Sequence, residues 1–285
     1  MRYYRYPSTG GDRLVAEASD ETYDLTAVKP ELTSFDDLAR AATVTDADID
    51  EVAEPLLDRA PTVERTGSPR APVVDEVWAA GVTYAISEQA REAESGRPDM
   101  YLDVYEAERP EVFFKATPGR TVGPGEAIGV REDSEWNVPE PELGVVLHRG
   151  EIVGYTAGND VSSRDIEGAN PLYLPQAKVY DRCCSLGPCV ASPGTVGDPH
   201  DLQMSMTIDR DGETVFEGST STAEMVRTCE ELVSYYTQHD AVPERAVLLT
   251  GTSIVPPDEF TLVEGDSVSI EMESIGTLDN DVVAV

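Results

Sequence analysis

Lysine is almost absent from this chain: Lys29, Lys115 and Lys178 are the only three in 285 residues, and every other basic residue is an arginine. Basic charge as a whole is scarce, with 21 Lys plus Arg against 55 Asp plus Glu and a formal net charge of -34. Nucleic-acid phosphates and anionic lipids are held by basic surfaces, so neither is an expected partner. Long apolar runs are also missing. Val77 to Val82 is typical of the longest, far short of the roughly 20 residues of a membrane helix. No basic start leads into an apolar stretch as in a signal peptide, so a soluble, cytoplasmic protein is expected. Cysteine is sparse, at Cys183, Cys184, Cys189 and Cys229. Their spacing gives neither a CxxC knuckle nor a disulfide framework, and they are expected to be reduced, small apolar residues.

Apolar residues make up 40% of the chain, enough for a sizeable core in one large or two unequal domains. The Lys-poor, carboxylate-rich composition resembles that of proteins from salt-loving archaea, where salt screens surface repulsion over a few ångströms. Residues 1–70 mix short strands with acidic helical stretches at Phe35 to Ala42 and Asp46 to Asp58, and read as a small α+β domain. Thr62 to Pro72 reads as a linker. Residues 73–285 read as a β-rich domain of short strands separated by turns. Two helices are expected there. Ala223 to Thr237 carries Met225, Cys229, Leu232 and Tyr236 at helical spacing behind a Ser221/Glu224 capping-box pattern. The other starts near Tyr84 and aligns Ser87, Arg91 and Glu94 on one face.

The densest chemical signal is Pro139-Glu140-Pro141-Glu142 followed by Gly158-Asn159-Asp160. In an extended segment residues 140 and 142 point the same way. A hairpin folded near Arg149-Gly150-Glu151 returns Asp160 beside Glu142, so three carboxylates meet at its open end. Such a cluster repels itself unless protonated or neutralised by a cation. With oxygen donors alone, the hard ions Mg²⁺, Mn²⁺ or Ca²⁺ fit better than Zn²⁺.

These residues sit in a longer pattern. Glu140-Pro-Glu-Leu-Gly-Val-Val, Gly158-Asn-Asp-Val-Ser-Ser-Arg-Asp165, Gln176-Ala-Lys178, Leu186-Gly-Pro188, Thr250-Gly-Thr252 and Glu264-Gly-Asp266 together resemble the fumarylacetoacetate hydrolase family over about residues 73–285. The resemblance implies a β-roll fold with a mixed sheet, Glu140, Glu142 and Asp160 holding Mg²⁺ or Mn²⁺, and Lys178 beside the metal. It also implies a homo-oligomer built from dimers. Hydrolases and decarboxylases of the family carry a water-activating histidine after the first core strand, where this chain has Ser87. The chain's own histidines, His148, His200 and His239, lie away from the motifs.

A serine without an activating partner is no base near neutral pH, which disfavours C–C hydrolysis. The segments Arg109-Pro-Glu111-Val-Phe-Phe-Lys115 and Asn170-Pro-Leu-Tyr-Leu-Pro175 look like the sugar-acid branch of the family. That likeness implies dehydration of a 2-keto-3-deoxy-pentonate, in the xylonate or arabinonate series, to 2,5-dioxopentanoate. An acylpyruvate hydrolase or oxaloacetate decarboxylase is the alternative, and a metal-stabilised binding protein a third reading. For the dehydration, Lys178 and Glu111 are the candidates for proton transfer. Ser87, Arg91 and Thr252 are the candidates for holding the substrate's hydroxyls and carboxylate.

Overall fold

The computed structural model describes residues 1–84, 104 and 107–285, so Ser87, Arg91 and Glu94 lie outside the described residues. The chain opens with β1 (Arg2–Ser8), β2 (Gly11–Ala18) and β3 (Glu21–Asp24), then helices α1 (Leu25–Val28), α2 (Phe35–Thr45) and α3 (Ile49–Leu57). Strands β4 (Glu76–Gly81), β5 (Glu111–Ala116), β6 (Thr121–Val122), β7 (Ile128–Val130) and β8 (Asn137–Val138) lead to the central hairpin of β9 (Pro141–His148) and β10 (Glu151–Asp160). After β11 (Ser162–Ser163) come helices α4 (Arg164–Ala169) and α5 (Leu174–Lys178), then β12 (Cys184–Ala191) and α6 (Pro193–Val196). Strands β13 (Gln203–Arg210) and β14 (Glu213–Ser221), helix α7 (Cys229–Thr237) and strands β15 (Arg245–Leu249), β16 (Ser267–Met272) and β17 (Gly276–Ala284) complete it.

A ten-stranded sheet runs β3-β2-β1-β12-β10-β9-β15-β4-β5, with β6 alongside β12. A five-stranded sheet runs β14-β13-β16-β17-β7. Most pairs are antiparallel, but β4 with β15, β6 with β12 and β7 with β17 are parallel, so the β-rich α+β fold has the mixed sheet expected of it.

The centre of the large sheet is covered on both faces, and every residue of β9 and β12 is buried. Leu143, Val145 and Leu147 pack toward Ile208, Ile270 and Leu278 of the smaller sheet. Val146, Val190 and Val247 pack in a second cluster with Phe35, Leu38 and Ile49 from α2 and α3. Burying a Leu or Phe side chain is worth about 1.5–3 kcal/mol, more than a typical cap at about 1 kcal/mol. Packing therefore holds these N-terminal helices more firmly than their Ser34 and Asp48 capping boxes do. A further tie is buried: His148 Nδ1, at the end of β9, lies 3.0 Å from Asp36 Oδ1 of α2.

Two expectations are corrected. The helix expected from Ala223 begins at Cys229. Ser221 instead caps a short 3₁₀ turn, accepting a bond from the Ala223 amide, and Met225 and Val226 turn away to meet Tyr84 and Thr83. Thr228 is the working cap, accepting from the Glu231 amide at 3.1 Å. In the hairpin, Arg149 and Gly150 are the two turn residues, both with positive φ, as the favoured two-residue turn demands. A bulge between Ile152 and Gly154 then sets Gly158, not Asp160, opposite Glu142. Asp160 faces Glu140 instead, its amide donating to the Glu140 carbonyl at 2.9 Å. All four cysteines are buried and free, as their spacing implies.

Candidate active site

Pro141 begins β9, where the missing amide hydrogen is tolerated, and a residue before proline is held extended. Glu140 is therefore kept in line with the strand, and Glu142 follows two residues later on the same face. Asp160 ends the partner strand. The three carboxylates, each at most 4% exposed, offer one oxygen apiece within 4.8 Å of one another. Asn159 holds the crossing by accepting from the Glu140 amide at 3.0 Å.

The surrounding cations explain how so much negative charge stays buried. Lys178, from the end of α5, donates to Glu140 Oε2, to Asp160 Oδ2 at 3.1 Å and to Ser162 Oγ at 2.7 Å. Arg164 Nη2 donates to Glu140 Oε1 at 2.6 Å, and its Nη1 lies 3.3 Å from Glu167 Oε2. Lys115 Nζ sits 2.5 Å from Asp160 Oδ1 and donates to the carbonyls of Val161 and Lys178 at 2.8 and 2.6 Å. Lys115 is 0% and Lys178 2% exposed, whereas Lys29 lies on the surface. Two of three lysines thus serve one cluster.

Charge within the cluster is incompletely balanced. Burial, then the neighbouring Asp160 and Glu140, pushes the Glu142 carboxyl well above its ordinary range, although Lys178 and the Gly251 amide pull the other way. That amide donates to Glu142 Oε2 at 2.7 Å. Burial alone disfavours the Lys115 ammonium, yet the adjoining Asp160 carboxylate, together with Cys183 and Cys184, outweighs it and the net shift is upward. A buried set of oxygen donors that one member cannot comfortably ionise fits a hard divalent cation.

The cluster forms one wall of a pocket that Gly81, Val82, Phe113, Gly251 and Thr252 also line. Of the residues singled out in the sequence, Glu140, Glu142, Asp160, Lys178 and Thr252 come together here. Glu111 stands one strand away, beside Gly81. Lys115, Arg164 and Ser162 were not singled out as site residues. Arg164 lies in the same Asn-Asp-Val-Ser-Ser-Arg motif as Asp160, and the rarity of lysine was the signal for Lys115.

Residues 76–283 match the family profile described as fumarylacetoacetate (FAA) hydrolase C-terminal, and the chain belongs to that family. Within it, the chain is 61% identical, over 100% of both chains, to a probable 2-keto-3-deoxyxylonate dehydratase of Haloferax volcanii. It is 46% identical to the 2-dehydro-3-deoxy-D-arabinonate dehydratase of Saccharolobus solfataricus, over 71% of this chain and 70% of the relative. A solved structure of 2-keto-3-deoxy-D-arabinonate dehydratase, complexed with magnesium and 2,5-dioxopentanoate, superposes with a TM-score of 0.84. That match has 35% identity and covers 100% of this chain and 99% of the other.

Proposed function

We propose that this chain is a hydro-lyase that removes water from a 2-keto-3-deoxy-pentonate, of the xylonate or arabinonate series, to give 2,5-dioxopentanoate. The observation that carries the reading is the buried Glu140, Glu142 and Asp160 triad with Lys178 in contact, in a chain so similar to a dehydratase named for this substrate class. Held by the three carboxylates, Mg²⁺ or Mn²⁺ would act as a Lewis acid for the negative charge that develops on a 2-keto acid as its C3 proton leaves. The protein must supply a base at C3 and a donor to the departing C4 hydroxyl. Glu111, as a carboxylate, takes the first part and Lys178, as an ammonium, the second. Thr252, on the pocket wall, holds the carboxylate end, with Ser87 and Arg91 on the hydroxyls and carboxylate.

Residues 73–285 carry every residue in this scheme; of residues 1–70, β1 to β3 extend the large sheet beyond β12, and α2 and α3 pack against it.

The test is product analysis at high salt with Mg²⁺. Water loss from 2-keto-3-deoxy-xylonate or 2-keto-3-deoxy-arabinonate is expected, with acylpyruvates untouched. EDTA should reduce turnover to background and Mg²⁺ or Mn²⁺ restore it, because oxygen donors select hard ions. Pyruvate from an acylpyruvate, with no 2,5-dioxopentanoate from either sugar acid, would overturn the assignment.

The same reading includes a cytoplasmic homo-oligomer built from dimers. Light scattering in the same buffer should give a mass at least twice 30.9 kDa. A particle of one chain mass would refute the assembly.

A further inference from the structure

Gly81 ends β4 and lines the pocket, yet its backbone is ordinary strand with no positive φ to require a glycine. Its cross-strand partner is Glu111, the first residue of β5. A Cβ built on Gly81 would lie 1.9 Å from Glu111 Oε2 and 2.9 Å from its Cδ. The Glu111 carboxylate therefore occupies the space that any side chain at 81 would need.

The face of β5 that carries this carboxylate is the one turned to the site. Alternation places Glu111 and Phe113 on one side of the strand, about 6.6 Å apart, and Lys115 follows at a bulge opposite Val77 and Trp78. Lys115 reaches Asp160. Phe113 lines the pocket with Lys178 Nζ 5.4 Å from its ring centre. Glu111 continues the row past Phe113 toward Gly81, another lining residue.

We propose that Gly81 is a positioning residue whose missing methyl group lets Glu111 stand beside the pocket as a proton-transferring carboxylate. This rests on the dehydratase reading and on Glu111 acting in it. A methyl at 81 collides only with the far end of a flexible side chain, so the carboxylate swings aside while the strands stay paired. A proton-transferring group must stay within hydrogen-bond reach of its proton, and a displacement of about 1 Å costs on the order of 10²-fold in rate.

The experiment compares Gly81→Ala, Glu111→Gln and the double variant as purified protein with Mg²⁺. Each single change is expected to lower kcat by about 10²-fold, with KM, Mg²⁺ affinity by calorimetry and melting temperature unchanged. The double variant should be no slower than Glu111→Gln, because both changes remove one function. The acidic limb of the kcat–pH profile should disappear in both singles alike. Wild-type kcat in Glu111→Gln would overturn the role of Glu111 itself. Wild-type kcat in Gly81→Ala beside a disabled Glu111→Gln would overturn the role of Gly81 alone, as would multiplying losses in the double. Weakened Mg²⁺ binding or a lowered melting temperature in Gly81→Ala would also overturn it, by making the glycine a structural requirement.

Discussion

Lys178→Met is expected to lower turnover by roughly 10²–10⁴-fold without a matching loss of divalent-ion affinity. The ammonium contacts Glu140, Asp160 and Ser162 at once, so its loss removes the proton donor nearest the pocket and the counter-charge of two buried acids. Breaking a buried ion pair by deleting one partner costs about 3–5 kcal/mol, since the remaining charge is uncompensated. The ion-free variant should therefore melt well below the wild type. Bound Mg²⁺ replaces the missing positive charge, so its addition should raise the melting temperature more in the variant than in the wild type. Calorimetric titration, melting curves and turnover separate these effects. Metal affinity that falls in step with turnover would recast Lys178 as a support for the ion site alone.

Lys115→Met should act on stability first. Its ammonium is fully enclosed and its three contacts are Asp160 Oδ1, the Val161 carbonyl and the Lys178 carbonyl. The ammonium is thus held by two hydrogen bonds and an ion pair and does not line the pocket, which keeps it from a substrate. The variant strands a buried carboxylate oxygen and two carbonyls, and a loss of about 3–5 kcal/mol is expected. Denaturant titration should show a lower midpoint at constant slope. Turnover with saturating Mg²⁺ should fall less than in Lys178→Met. A wild-type midpoint would mean that the Asp160 pair contributes nothing net.

The contrast between these lysines bears on what could be read in advance. The Glu140/Glu142/Asp160 convergence was legible because strand alternation and a hairpin turn near residue 150 are local rules; the bulge, which no local rule announces, supplies the extra residue that brings Asp160 onto the face of Glu140 and Glu142. β12 went unseen. Buried on both faces, Cys184–Ala191 has no polar alternation, and it contains a Gly-Pro pair that resembles a turn. The misplaced start of α7 has a different cause: Met225 and Val226 are recruited by Thr83 and Tyr84, more than a hundred residues away in sequence. The part of Lys115 was hidden for the same reason. Its partners arrive from β10, the residue after it and the end of α5, and only the assembled sheet brings them to one nitrogen.

The scarcity and placement of lysine also make the folded chain selective toward amine chemistry. Of its three side-chain amines, only that of Lys29 meets solvent freely; Lys115 is sealed and Lys178 opens only onto the pocket. An acylating reagent too large for the pocket thus marks one lysine per folded subunit, a ready handle for a dye or a surface tether. A small one that enters the pocket reaches Lys178 and competes with whatever is bound there, so the ratio of the two adducts becomes an occupancy gauge read by mass.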